Sequence, residues 1–352
     1  MGVRYIMENF EMEDLIGFDA LYKSMERCKH NVMWKNSVAY YCMHGIEETI
    51  KLERQLKNGT YKARPAKKFI ITHPKKREAV SITFRDRVYQ RSLNDNCIYP
   101  IMTKSFIYDN MACQKGKGTS CARKEIDSFL HKYYRHNQLD GYVLQCDIHG
   151  YYPNMSHEAA EELFRNKLPR DVANRALVVL REQYDGEKGY NPGSQMIQIL
   201  GISMLDKMDH YIKEHLHIKY YLRYMDDFIL IHKNKEYLTK CKEEIDEYLN
   251  KIGFELHPKK TKIYELSKGI KVLGFTHKLT ESGKVIRLIN PQNVKAERRK
   301  LKKMVALAKK RKIPKRKVDE CYKAWKAHAE VGNTFKLIKR MDKYYKELWN
   351  EE

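Results

Sequence analysis

Tyr221-Leu222-Arg223-Tyr224-Met225-Asp226-Asp227-Phe228-Ile229-Leu230 sets two adjacent carboxylates in an otherwise apolar and aromatic run. The flanks, Tyr221 to Met225 and Phe228 to Ile231, predict two short buried strands. Asp226-Asp227 then forms the tip of a hairpin. An Asp-Asp pair alone also suits an ordinary turn, so its meaning depends on its company. Burying paired anions is costly unless cations neutralise them. Divalent magnesium, which prefers carboxylate and phosphate oxygens, is the natural neutraliser.

A second strand supplies a third carboxylate. Gly141 to Ile148 is an apolar strand carrying Asp147 near its end, followed by the turn His149-Gly150-Tyr151-Tyr152-Pro153. If strand and hairpin lie side by side, Asp147 faces Asp226 and Asp227. Three carboxylates can hold two metal ions about 3.5–4 Å apart, the arrangement of in-line phosphoryl transfer. One ion would activate a primer 3′-hydroxyl, and the other would hold a triphosphate.

Tyr224-Met225-Asp226-Asp227 resembles the catalytic box of reverse transcriptases. Asp147 with Tyr151-Tyr152 resembles that family's first palm carboxylate and its aromatic follower. The resemblance runs in the family's order from about Asp19 to the C-terminus. It implies an RNA-directed DNA polymerase, a nucleotidyltransferase of α+β class with the right-hand polymerase fold. Residues 1–139 would be N-terminal helices and fingers. Residues 140–280 would be the palm, a small antiparallel sheet backed by helices, with the primer grip. Residues 281–352 would be a basic helical thumb. Two Mg2+ ions, with Mn2+ as the alternative, would sit on Asp147, the Ile148 backbone carbonyl, Asp226 and Asp227. RNA template, DNA product and deoxynucleoside triphosphates are the implied partners.

The other landmarks carry further expectations. His73-Pro74-Lys75-Lys76-Arg77-Glu78 is similar to the fingers segment over the incoming triphosphate, with Lys75 and Arg77 as phosphate donors. In Phe84 to Arg91 a helix is expected, with Asp86 pairing locally with an arginine. Lys115 and Lys117, beside Gly116 and Gly118, look like the family's contact to template or primer backbone. The run is not a Walker loop, because the Gly-Lys-Ser/Thr spacing is absent. Asn191 to Gln198 opens a long apolar helix, Ile199 to Leu216, with Ser194 as its cap and Gly193 allowing close backbone approach. Gly193 and Gln198 match the segment under the nucleotide. Pro192 stands where retroviral and intron-type enzymes carry Gln, so low fidelity is expected. Tyr152, the fifth residue after Asp147, would clash with a ribose 2′-hydroxyl and so screen sugars. Either Lys259 or Lys260 would protonate the leaving pyrophosphate. Leu273, Gly274 and Phe275 read as a hairpin similar to the primer grip.

Composition points to the same partners. The formal net charge is +23, from 68 Lys and Arg against 45 Asp and Glu. Such a field attracts polyanions and gives salt-dependent affinity for phosphate backbones. The excess is greatest from Lys295 to Lys317, where Leu301, Met304, Val305 and Leu307-Ala308 recur at helical spacing. Arg298, Arg299 and Lys302 on that helix are candidate nucleic-acid contacts. Trp325 reads as core. No apolar run spans a bilayer and no secretory leader is evident. The eight Cys lack metal-binding spacing and read as reduced cytoplasmic thiols.

Two bacterial subfamilies share the run around Tyr108-Asp109 and Ala112-Cys113 to Thr119: reverse transcriptases of diversity-generating retroelements, and defence-associated enzymes of formerly unclassified groups. Pro192 and Ile197 depart from the diversifiers. The favoured role is therefore antiphage defence, making cDNA from a dedicated structured noncoding RNA. Error-prone diversification is the alternative. A catalytically silent RNA-binding protein is an alternative of another class, against which all three carboxylates argue. An RNA-templated RNA polymerase is disfavoured by Tyr152, while template-independent synthesis stays open.

Overall fold

The computed structural model describes residues 11–72 and 77–350, the side chain of Arg77 excepted. The chain opens with four helices, α1 (Glu13–Ile16), α2 (Phe18–Cys28), α3 (Asn36–Met43) and α4 (Gly45–Lys57). A hairpin of β1 (Lys67–Ile71) and β2 (Arg77–Ser81) follows, pairing Lys67 with Ser81 and Ile71 with Arg77. Helix α5 (Phe84–Leu93) packs on α2. Thr83 caps it by accepting the Asp86 N–H, which supplies one of the donors a helix start leaves unsatisfied. The Asp86 carboxylate is buried and pairs with Arg85 at 2.9 Å, as expected, and also takes the Tyr61 hydroxyl. A π-helical turn at Asn94–Ile98 leads into α6 (Tyr99–Met102).

Helix α7 (Thr119–Asn137) precedes β3 (Tyr142–Asp147), α8 (Tyr151–Asn154), α9 (His157–Lys167) and α10 (Arg170–Gln183). Then come α11 (Gln195–Met204), α12 (Asp206–His210) and a second π-helical turn, Tyr211–His215. The single apolar helix expected from Ile199 to Leu216 is thus interrupted at Leu205. The next residue, Asp206, explains why the register changes there. Its carboxylate is buried and accepts from Ser105 and Lys167, which continuous helix geometry need not present to it.

Strands β4 (Tyr220–Tyr224) and β5 (Asp227–His232) form the expected hairpin, followed by α13 (Lys235–Lys251) and β6 (Lys262–Glu265). These strands make one sheet in the order β4-β5-β3-β6. Strands β7 (Ile270–Val272), β8 (Phe275–Leu279) and β9 (Val285–Ile289) make an antiparallel meander. The chain closes with α14 (Pro291–Lys309), α15 (Lys315–Glu330) and α16 (Phe335–Asn350). Pro314 separates α14 from α15, as a residue without an amide donor does best outside a helix interior.

Two compact units emerge from this order. The first is Met1–Gly118, Cys146–Phe228 and Cys241–Thr261, and the second is Thr119–Gln145, Ile229–Lys240 and Lys262–Glu352. In the first, Leu15, Leu21, Met25, Leu52, Val88 and Leu93 are wholly or almost wholly buried. In the second, Leu301, Val305, Val318, Tyr322, Met341 and Leu348 form a core at helical spacing on α14, α15 and α16. Trp325 packs against it, whereas Leu307 is exposed. All eight cysteines are free. Among the described residues no helix is long and apolar enough to cross a membrane.

Candidate active site

Strand β3 delivers Asp147 to its end, and the β4–β5 turn delivers Asp226 and Asp227. The turn is tight, and Met225 takes a left-handed φ of 60°. For a non-glycine residue that conformation is strained and usually has a reason. The Ile148 N–H donates to the Asp226 carbonyl at 3.3 Å, tying the two carboxylate-bearing segments together. From the other side, the His257 N–H donates to the Asp147 carbonyl at 2.7 Å and the His149 N–H to the Glu255 carbonyl at 2.9 Å. Asp147 is therefore held by its backbone at a fixed point.

The three side chains repel one another. Desolvation of its carboxyl, then the charges of Asp226 and Asp147, push Asp227 up to about 7, although the residue as a whole is exposed. Burial likewise raises Asp226, helped by Asp147 and opposed by Lys260. The Lys260 ammonium lies 2.8 Å from both carboxylate oxygens of Asp147. This separates the two lysines that the sequence left open. Lys259 lines a shallow cavity with His149, Asp246 and Glu255 instead.

Among the described residues no three His, Cys, Asp or Glu side chains are grouped closely enough to hold a metal ion as they stand. The donor chemistry nevertheless fits a hard divalent cation. All three candidate ligands are carboxylates, and the raised Asp226 and Asp227 mark anions short of positive charge. Part of the charge a metal would bring is supplied by Lys260.

The aromatic follower sits on α11. The Tyr151 hydroxyl donates to the Gly201 carbonyl. Among the described residues the Tyr152 hydroxyl is buried without a partner, and a Cβ at Gly201 would fall 2.7 Å from it. Gly201 is thus the space that Tyr152 leans into. At the start of α11, Ser194 accepts the Ile197 N–H, the expected cap. A Cβ on Gly193 would meet the Val80 carbonyl at 3.0 Å, and the Asn191 amide donates to the Glu78 carbonyl. The β1–β2 hairpin therefore abuts the loop before α11.

Gln198 is fixed at both ends of its amide. Its nitrogen donates to the Pro192 carbonyl at 3.2 Å, and its oxygen lies 3.8 Å from the Cys113 sulfur. Cys113 also lies 3.5 Å from the Met225 sulfur, so Gln198 is coupled to the carboxylate turn. Cys113 and Met225 were not anticipated as neighbours. The Lys115 ammonium sits over the Tyr99 ring. The Lys117 ammonium reaches the carbonyls of Ile107, Tyr108 and Asn110 at 2.8–3.4 Å, so in this conformation it holds the loop together. Lys75 and the Arg77 side chain, the expected triphosphate donors, lie outside the described residues.

Behind the turn stands a pair that sequence reasoning missed. Arg223 and Asp209 are wholly buried and joined at 2.5 Å. The only signal was Arg223 within an apolar run, since buried charges are paired.

The second unit holds the remaining candidates. Leu273 and Gly274 form a two-residue turn between the paired Val272 and Phe275, with φ of 49° and 86°. Both signs match a type I′ hairpin turn, which rarely takes leucine. The Leu273 carbonyl accepts from Arg123, whose guanidinium also lies over the Phe275 ring. Arg298 stacks on Tyr344 at 4.2 Å, while Arg299 and Lys302 project into solvent.

Residues 66–277, more than half of the chain, match the reverse transcriptase (RNA-dependent DNA polymerase) family. The chain belongs to the reverse transcriptase family. Its mixed helices and small antiparallel sheets fit that family's right-hand polymerase fold. No curated protein matches it in sequence. Among solved structures it is similar to apo telomerase from Candida tropicalis, at 14% identity and a TM-score of 0.46, covering 64% of this chain and 49% of that one. The same enzyme truncated from its C-terminal domain gives 14% identity, a TM-score of 0.47 and coverage of 69% and 60%. Telomerase from Candida albicans with a fragment of telomeric RNA gives 12%, 0.48, 70% and 50%. This reverse transcriptase chain spans about half to three fifths of those structures' length.

Proposed function

We propose that the chain makes complementary DNA from an RNA template by two-metal nucleotidyl transfer. The observation that carries this reading is the backbone tie that sets Asp147 beside Asp226 and Asp227, whose carboxyls feel one another's charge, with Lys260 on Asp147. These carboxylates and the Ile148 carbonyl would hold magnesium. When bound, magnesium supplies Lewis acidity and neutralises phosphate charge.

The chain's own residues have separable tasks. Lys260 would give a proton to the departing pyrophosphate as the bond from the α-phosphorus breaks and the bond to the primer 3′-oxygen forms. Tyr152 closes the floor against a 2′-hydroxyl, and Gln198 and Gly193 lie along the nucleotide. Lys75 and Arg77 would take the phosphates, and Leu273 to Phe275 would grip the primer strand. Residues 1–139, 140–280 and 281–352 would act as fingers, palm and thumb.

The departures at Pro192 and Ile197 support a bacterial cytoplasmic enzyme of antiphage defence that copies a dedicated structured noncoding RNA. Nucleic acid co-purifying with the wild-type protein and with Asp226→Ala/Asp227→Ala, sequenced after RNase or DNase treatment, tests this. A discrete RNA in both, with complementary DNA only in the wild type, is expected. RNA in both without DNA in either would favour the silent RNA-binding protein.

A further inference from the structure

The second unit contains a groove to which the roles above assign one residue, Arg298, and no specific occupant. It runs between α14 and α16, is floored by the end of β9, and has a volume of about 1210 Å³. Five cations line it, namely Lys295, Arg298, Lys336, Arg340 and Lys343, against one carboxylate, Glu347. The acids of these helices are engaged by other residues: Glu297 by Lys300, Asp342 by Lys326 and Glu347 by Lys343. The groove is therefore strongly positive.

It also presents an aromatic face. Phe335 is 71% exposed at the groove's edge, although it begins a helix whose other large apolar residues turn inward. Its position is set by the turn before it. The Asn333 N–H donates to the Arg287 carbonyl, and the Asn333 side chain accepts the Arg287 N–H, both at 2.9 Å. The Thr334 hydroxyl donates to the Ala329 carbonyl at 2.5 Å. A Cβ on Gly332 would meet the Arg287 carbonyl at 2.8 Å, so only glycine lets the turn approach so closely. The Phe335 ring faces solvent with the Lys339 ammonium 4.6 Å from its centroid, an aromatic platform inside a cationic rim.

We propose that this groove holds a single-stranded stretch of RNA, one base stacked on Phe335 and its flanking phosphates on Lys295, Arg298, Lys336 and Arg340. The assignment rests on the reading of this chain as an enzyme that works on RNA. The chemistry selects a single strand. Cations take phosphates of any strand, but an aromatic platform needs an unstacked base. An A-form duplex keeps its base faces covered.

The test is fluorescence anisotropy on the full chain at fixed salt. The probe is an unstructured fluorescein-labelled oligoribonucleotide of about ten nucleotides, compared with an RNA hairpin of the same length. Phe335→Ala should weaken single-strand binding about tenfold, with hairpin binding nearly unchanged. Phe335→Trp should keep single-strand affinity, and Arg340→Gln should lower both the affinity and its salt dependence. Phe335 is exposed, so these changes do not threaten the fold. The inference is overturned if Phe335→Ala binds the single strand as the wild type does. Equal losses for strand and hairpin would overturn it as well, as would a wild type that ignores the single strand. Primer extension by the wild type, read in parallel, separates the two readings. Extension without groove binding removes only the groove, and groove binding without extension removes only the polymerase.

Discussion

Arg223 clasps the carboxylate of Asp209 at 2.5 and 2.7 Å, with both side chains wholly buried beneath the β4–β5 turn. Another N–H of the same guanidinium donates to the Met225 carbonyl at 3.0 Å, and a third contact reaches the Ile202 carbonyl. The Tyr221 hydroxyl completes the carboxylate at 2.6 Å. The carboxylate-bearing turn thus hangs from a buried ion pair, which also explains how Met225 is kept at positive φ.

Breaking that pair should unfold the turn's support. Removing one partner leaves the other charge buried and uncompensated, so Arg223→Met or Asp209→Asn should each cost about 3–5 kcal/mol in urea unfolding. Asp209→Leu/Arg223→Met should recover most of that stability. It should not recover primer extension, because the Met225 carbonyl still lacks its donor. Full recovery of activity in the double variant would show that the pair has no positioning role.

Lys260 and Lys259 should behave differently. Lys260→Gln removes the ammonium from Asp147, and nucleotide incorporation should fall by roughly a hundredfold in kcat, the usual scale for a lost proton donor. Lys259→Gln should change little. Single-turnover incorporation compares them, and equal effects would contradict the assignment.

Tyr152→Ala should admit ribonucleotides, narrowing discrimination by roughly ten- to a hundredfold. Gly201→Ala offers a second probe, because its Cβ would fall 2.7 Å from the Tyr152 hydroxyl and displace the ring without removing it. Competition between ribo- and deoxynucleoside triphosphates reads both. Unchanged selectivity in Tyr152→Ala would free that ring from the role.

Magnesium should raise the melting temperature, and more at pH 8 than at pH 6. In the metal-free fold Asp227 is raised to about 7 from an ordinary carboxylate value near 4. A raised carboxyl favours the fold while protonated, and that contribution is lost as pH climbs through 7. Bound metal needs the ionised form and offsets the loss. A melting temperature indifferent to magnesium at pH 8 would count against the carboxylates as ligands.

The hairpin and β3 were legible because apolar alternation interrupted by acids leaves few other structures. The Ser194 cap and the pairing of Asp86 with an arginine were legible because their partners are three or fewer residues away. What escaped needed distant contacts. Asp209 meets Arg223 across fourteen residues and looked like part of a helix face. The break at Leu205 carries no proline or glycine. Its cause, Asp206 reaching Lys167, lies 39 residues back. Lys259 and Lys260 are adjacent in a turn, and no periodicity says which one reaches Asp147.

Extension of an annealed DNA primer on a defined RNA template is the most direct measurement, comparing the wild type with Asp226→Ala/Asp227→Ala in magnesium and in EDTA. The account predicts deoxynucleotides added in template order by the wild type only, and only with the metal. Extension that persists in the double variant, or wild-type addition that ignores the template sequence, would contradict it.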